Sequence, residues 1–382
     1  MDFSREPPHS DKLQVRKDHP WNAEPDVAAL VEHPITPEEL VYCRNHCPIE
    51  ELNGDSFTVK FDGLVSNEQT WTVNELKATF ARKEVVAALQ CAGNRRKAMQ
   101  DRTHKEVEGV LWQDGTIANC RWAGASMREI LQRVGAPGET DPRMQRLHLC
   151  FASHAAPCDN DAWFGASIPL AKVLDEEEDV LLAYEMNGRT LSPDHGYPLR
   201  VVVPGYTGAR WVKWVDRITI AERESENFYQ QRDYKVLPTN VQSHDAADSE
   251  DWWSRVPAIQ ANPLNSTVAS AKVVPPNVLH VKGYAVRGPS GQVREVQVSA
   301  DEGKTWLPAT ITYQEGRWSW TLWEAYVGLE QMKNARQGKV WCRAVDVSGV
   351  VQEIDMDWNL RGVAYSAVDE KDVPQLLYSA RY

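Results

Sequence analysis

The chain has 382 residues, enough for two domains or three, and 42% of them are apolar, so it can bury substantial cores. A formal net charge of −12 argues against nucleic acid or an anionic membrane as the main partner; an anionic ligand would need a local basic pocket on an acidic protein. The seven cysteines (43, 47, 91, 120, 150, 158 and 342) are an odd set without framework spacing, which fits a reducing compartment. Cys43 and Cys47 stand C-x3-C, but no second pair completes a zinc site. The sequence has no signal-peptide core, no apolar run of membrane-spanning length and no Ser-Lys-Leu ending. The expectation is a soluble intracellular protein, in the cytoplasm first, with the organelle left open.

In chain order, residues 1–24 are polar, charged and Pro-containing and read as an extended N-terminal arm. Thr36-Pro37-Glu38 predicts a short helical turn with Thr36 as cap and Pro37 at the first helical position. Tyr42-Cys43-Arg44-Asn45-His46-Cys47-Pro48 follows; taken alone it reads as a solvated loop with an incidental basic pair. Residues 57–65 alternate like a half-buried strand, and residues 85–89 form an apolar run that suits a buried one. That run breaks at Cys91-Ala92-Gly93 and continues as Asn94-Arg95-Arg96. Gly93 suits a tight turn, so the thiol should sit at a strand end with guanidiniums close by. Positive charge nearby favours a thiolate, which is a nucleophile and a soft metal ligand. The same arginines can bind a small oxyanion through charge-assisted hydrogen bonds. A buried structural cysteine is the competing reading.

Residues 97–108 are charged and read as exposed, and Trp112 follows them. Residues 127–134 have apolar positions at helical spacing, with Gly135 placed to cap the end. Ser167 and Pro169 predict the start of a second helix. Residues 175–179 are an acidic, solvated run, and residues 180–186 a strand ending in an Asn187-Gly188 turn. His195 and Arg200 lie on a Gly/Pro-rich turn beside a Val strand, with Arg210 and Lys213 nearby, a set suited to holding phosphate. Residues 244–266 are acidic, polar and Pro-punctuated, and mark a boundary. Beyond it, residues 278–286, 295–299, 318–323 and 340–347 read as short strands, with Asp301-Glu302-Gly303-Lys304 as one turn. This spacing predicts an all-β sandwich without a catalytic constellation. The division is an arm over 1–24, a catalytic domain over 25–243, a linker over 244–266 and a β domain with C-terminal tail over 267–382.

The Cys91-Ala92-Gly93-Asn94-Arg95-Arg96 block and the Asp194-His195-Gly196-Tyr197-Pro198-Leu199-Arg200 block resemble signatures of the sulfite oxidase family of molybdenum enzymes. Arg44-Asn45-His46-Cys47-Pro48 and residues 208–214 match further family segments, and the resemblance spans about residues 20–363. It implies an α+β molybdopterin-binding catalytic domain followed by an immunoglobulin-like sandwich used for homodimerisation. It implies Cys91 as the protein ligand to molybdenum, and Tyr42, Cys43, Arg44, Asn45 and His46 along the pterin. His195, Arg200, Trp211, Val212 and Lys213 would hold the phosphate-bearing part of the cofactor. Arg44, Arg96 and Arg361 would face the substrate anion, Trp112 would line its pocket, Tyr234 would donate a hydrogen bond, and Asp233 would orient the surrounding charges. Relatives carry a cofactor-binding aspartate where this chain has Ala155; Asp159 or Asp161 would have to substitute.

The family's oxidases carry Arg in the segment Trp358-Asn359-Leu360-Arg361-Gly362-Val363, where assimilatory nitrate reductases typically carry Met. Sulfite, a dianion near neutral pH, gains from the extra guanidinium. The implied activity is oxygen-atom transfer converting sulfite to sulfate. Its electrons pass to an external acceptor, oxygen or a cytochrome, with no haem or flavin in the chain. Nitrate reduction by the same module is the nearer alternative; a cofactor-free dimeric binding protein is the more distant one. The divergent tail, 364–382, is expected to pack differently from that of relatives or not at all.

Overall fold

A computed structural model of the chain describes residues 1–276, 278–328 and 338–373. Two five-stranded sheets occupy the chain up to residue 221 and two four-stranded sheets begin at residue 265. In the first sheet the strand Arg82–Gln90 pairs with Ile117–Ser126, which pairs with Leu181–Met186; all these pairs are antiparallel. Leu181–Met186 also carries Arg189–Thr190 and Arg200–Val202. Asn187 and Gly188 join the hairpin with φ of 53° and 75°, the left-handed pair a two-residue turn requires. The second sheet runs Gln69–Thr72, Thr58–Gly63, Arg217–Ala221, His148–Ser153, Phe164–Pro169, with one parallel pair, Thr58–Gly63 beside Arg217–Ala221. Both sheets contribute to one core, Ala87, Leu89 and Trp122 from the first and Phe61, Phe151 and Ile218 from the second.

Several local expectations are overturned. The arm is an antiparallel hairpin, Leu13–Lys17 with Asn22–Pro25, and it is built into the domain. Glu24 is fully buried and accepts the N–H groups of Gln113 and Gly115 at 2.8 and 3.0 Å. Thr36 does not cap the short turn Glu38–Leu40; its hydroxyl accepts the Asn119 N–H at 2.9 Å, so sheet contacts claim the cap. Ser167 lies inside the strand Phe164–Pro169, and the helix starts only at Leu170. The apolar Ile168 pairs with Leu149 there, and ladder hydrogen bonds outweigh the local cap signal. The helix Met127–Arg133 does form, burying Met127, Ile130 and Leu131. Residues 244–266 include two packed helices, His244–Ser249 and Trp252–Arg255, with Trp253 buried in a cluster with Leu237, Trp358 and Leu360.

The C-terminal sheets are Asn265–Val274, Val278–Val286, Thr321–Gly328, Thr310–Gln314 and Leu307–Pro308, Val293–Ser299, Lys339–Asp346, Asp369–Asp372. Val268, Leu279 and Val281 of one pack with Val296, Val298 and Cys342 of the other. The strand expected at 318–323 starts later, because the Trp318 carbonyl accepts the Ala88 N–H at 2.9 Å and bridges to the catalytic region. The end of the tail, 374–382, lies outside the described residues. Among the described residues, no helix is long and apolar enough to cross a membrane.

Candidate active site

The strand Arg82–Gln90 delivers Cys91 into a tight turn. The Cys91 carbonyl accepts from Asn94 N–H at 3.0 Å, and the Gly93 N–H points at the sulfur, 3.4 Å away. A Cβ on Gly93 would lie 2.6 Å from the Arg96 guanidinium, which would have to shift to admit it. Arg95 takes φ 64° and leaves the site: it pairs with Asp369 at 2.7 Å and donates to Asn265 Oδ1 at 2.8 Å. The β region thereby locks the cysteine turn. Arg96 also departs from expectation. It donates to the carbonyls of Val110, Arg361 and Gly362 at 2.7, 3.0 and 3.2 Å and lines neither cavity described below. The predicted drop in thiol pKa is likewise reversed: burial lifts Cys91 above the ordinary thiol range against the pull of Arg44 and Arg96. A thiolate here needs a partner such as a coordinated metal, which deprotonates a ligating thiol outright.

Cys91 opens into an inner cavity. Tyr42, Arg44, Asn45 and His46 form one side, and His195, Arg200, Trp211, Lys213 and Tyr234 approach from other segments. Its cations are only partly compensated, with Asp194 the one carboxylate in its lining. The Arg200 Nη1 donates to the His195 carbonyl at 3.1 Å, but Nε is buried with no hydrogen-bond partner. Burial pushes Arg200 down to about 10 and Lys213 to about 8. Lys213 donates to Asn45 Oδ1 and to the Asp194 carbonyl, and sits 4.3 Å from the Trp214 ring centroid. Burial, with Lys213 and Arg200 adding to it, holds His195 down to about 3, so the ring is neutral at pH 7. Gly208 keeps the wall open, since a Cβ there would lie 2.9 Å from Tyr42 Oη.

Four predicted contacts are not made. Cys43 is buried away from the cavity, and Cys47 lines it instead. The Val212 side chain belongs to the core, its carbonyl accepting Val201 N–H at 2.9 Å. Arg210 is fully buried against the Ile259 carbonyl and Gln230. Trp112 is fully buried in the main core and lines neither cavity; Val110 and Leu111 reach the outer one. No sequence signal separated these from true wall positions, because facing depends on tertiary packing. Nor does Asp159 or Asp161 reach the inner cavity in place of the acid missing at Ala155. Asp161 accepts from Asn227 Nδ2 and Phe228 N–H at 2.9 and 3.0 Å, and Asp159 lines only the outer cavity.

Arg44 and His46 also border this outer cavity with Arg361, Asp233, Arg16 and Lys17. Arg361 donates to Asp233 and, at 3.3 Å, to Glu108, while its Nε is buried without a partner. Arg44 Nη2 is 3.3 Å from His46 Nδ1, and His46 Nε2 is 2.7 Å from Tyr234 Oη. Arginine only donates, so Nδ1 accepts and Nε2–H donates to the tyrosine oxygen. The Tyr234 hydroxyl proton is then free for another acceptor. Burial and the nearby Arg44 hold His46 well below its ordinary pKa, so its 3.8 Å approach to Asp233 is not an ion pair.

Residues 46–229 match the family of oxidoreductase molybdopterin binding domains, and residues 256–368 the Mo-co oxidoreductase dimerisation domain. The chain is 38% identical to a sulfite oxidase of Arabidopsis thaliana, covering 95% of this chain and 94% of that protein. It is 40% identical to a sulfite oxidase of Gallus gallus, over 96% of this chain and 78% of the other. The chain belongs to the sulfite oxidase family. A nitrate reductase [NAD(P)H] of Hordeum vulgare is 34% identical over 93% of this chain and 41% of its own length. The fold is shared with the sulfane dehydrogenase SoxCD from Paracoccus pantotrophus, at a TM-score of 0.71 and 24% identity, over 98% of this chain and 89% of that one. This member of the family is thus a molybdenum oxidoreductase with a dimerisation domain. Its inner cavity suits an anionic, sulfur-ligated group: a buried thiol, the buried Arg200 Nε without an acceptor, and a glycine-cleared wall.

Proposed function

We propose that this chain oxidises sulfite to sulfate with a molybdenum–pterin cofactor held in the inner cavity, the electrons leaving to oxygen or a cytochrome. The reading is carried by the junction of the two cavities at Arg44 and His46, with the Cys91 thiol on the inner side and Arg361 on the outer. Cys91 would ligate the metal. Asn45, His195, Arg200, Trp211 and Lys213 would hold the pterin and its phosphate. When bound, the cofactor supplies the two-electron couple and the oxygen that is transferred. Arg44 and Arg361 attract the anion, and the Tyr234 hydroxyl donates to an oxygen of the reacting group. Asp233 and Glu108 hold Arg361 in place between turnovers, so an arriving dianion exchanges for carboxylate contacts rather than meeting a bare charge. Arg96 positions Arg361 through its backbone carbonyl.

The two regions would be a catalytic domain over about 25–243 and an immunoglobulin-like sandwich from 267 that pairs two copies, in a cytoplasmic enzyme without haem or flavin. The deciding experiment is molybdenum analysis of protein made in a host that supplies the pterin, with sulfite oxidation assayed against oxygen and ferricyanide. Molybdenum near one per chain with sulfite-dependent reduction of either acceptor is expected. The 34% identity to a nitrate reductase favours a second reading, which nitrite formation without sulfite oxidation would establish. Metal-free, inert protein would leave only a binding role.

A further inference from the structure

The N-terminal hairpin supplies two cations, Arg16 and Lys17, to the outer cavity. They stand at the end of Leu13–Lys17, outside the matched molybdopterin-binding region. Arg16 is held in place: its Nε donates to the buried Glu24 at 2.7 Å and its Nη2 to Gln14 at 3.1 Å. Lys17 is 44% exposed and faces Asp159 at 3.5 Å, a long and weak pairing that leaves its ammonium available. The cavity lining holds four cationic side chains, Arg16, Lys17, Arg44 and Arg361, and two carboxylates, Asp159 and Asp233, while Glu24 and Glu108 pair with Arg16 and Arg361 from just outside it; Arg44 and the loosely paired Lys17 are the least compensated. The chain as a whole is acidic, with a net charge of −12. A small anion arriving from solvent therefore meets a repulsive surface except where these groups focus the field.

We propose that Arg16 and Lys17 form an entry station for the small dianionic substrate, drawing it into the outer cavity and handing it to Arg44 and Arg361. This rests on the sulfite reading above. Neither residue touches the cofactor cavity, so their contribution is to capture rather than to the chemical step. Capture by exposed charge is screened by salt over a Debye length of about 8–10 Å near physiological ionic strength. Asp159 opposes it, so removing that carboxylate should help where removing Lys17 hurts.

The test measures kcat and KM for sulfite at low and high ionic strength for the molybdenum-loaded wild type, Lys17→Gln, Lys17→Glu and Asp159→Asn. Lys17→Gln should lower kcat/KM on the order of several-fold at low salt, and Lys17→Glu more, with the change carried by KM. Asp159→Asn should raise it. All three differences should shrink toward wild type at high salt. Arg16→Gln is measured beside them with its melting temperature, because it also loosens Glu24. Calorimetric binding of sulfate gives a readout independent of turnover and should weaken in the same order. Loss in kcat, or ratios that do not change with salt, would overturn the entry station. A wild type inert toward sulfite would instead sink the functional reading beneath it.

Discussion

The inner and outer cavities share Arg44 and His46 but differ in how closely their cations are paired with carboxylates. In the inner cavity, Arg200 keeps a buried Nε without an acceptor and Lys213 is pushed down to about 8. In the outer cavity, Arg361 is already held by Asp233 and Glu108, and Lys17 faces Asp159. Burying an unpaired cation is costly, so a permanent anionic occupant is the natural counter-charge for the inner site. A cation with carboxylates at hand can gain and release a transient anion without stranding a charge. The difference separates a place for a resident cofactor from a place for a substrate that must leave as product.

Replacing the proposed metal ligand breaks the comparison most completely. Cys91→Ser should abolish sulfite oxidation and molybdenum retention while the circular dichroism spectrum is kept, and a fully metallated, active serine variant would remove the inner site's stated purpose. Next in size is Arg361→Met in the outer cavity. It should cost about 2–4 kcal/mol in kcat/KM for sulfite, mostly through KM, with metal content unchanged. Unchanged kinetics would count against its contact with substrate.

Arg200→Met tests the inner cavity from the other side. It should reduce molybdenum occupancy, yet the cofactor-free protein should be no less resistant to urea, because a buried charge without a counter-ion has been removed. Equal destabilisation of both forms would mean that Arg200 is chiefly structural.

The smallest expected effect is on pH dependence. His195 accepts a proton at about 6.5 when unfolded but only at about 3 when folded. Its contribution to stability is therefore complete above about 6.5 and declines as the pH falls toward 3. The urea midpoint of cofactor-free protein should rise between pH 5 and 6.5, and His195→Gln should flatten that rise. A parallel slope in the variant would show that other groups govern the window.

The cysteine strand, the helix at Met127, the Asn187-Gly188 turn and much of the C-terminal strand pattern were legible, because apolar periodicity and turn residues are local properties. The chemistry-bearing segments were legible too. Tyr42, Arg44, Asn45, His46, His195, Arg200 and Lys213 come from segments far apart in the chain, yet motif matching grouped them, and they line one cavity. The failures concern facing. Arg95, Arg96 and Arg210 are as basic as Arg200 in sequence, but buried carbonyls and an aspartate from distant segments claim them. Trp112 reads as a pocket wall and is core, while the wall beside it is Val110 and Leu111.

By itself the sequence determined which residue types exist for the chemistry: one thiol at a strand end, a set of basic groups, and a β region without catalytic side chains. Only the tertiary structure decided which cations stay uncompensated, since that depends on which carbonyls and carboxylates each guanidinium meets after folding. It also brought the N-terminal hairpin to the mouth of the outer cavity. The pairing that achieves this, Asn22 Oδ1 with Arg44 and Glu24 with Gln113, joins residues whose separation in sequence leaves no periodic trace.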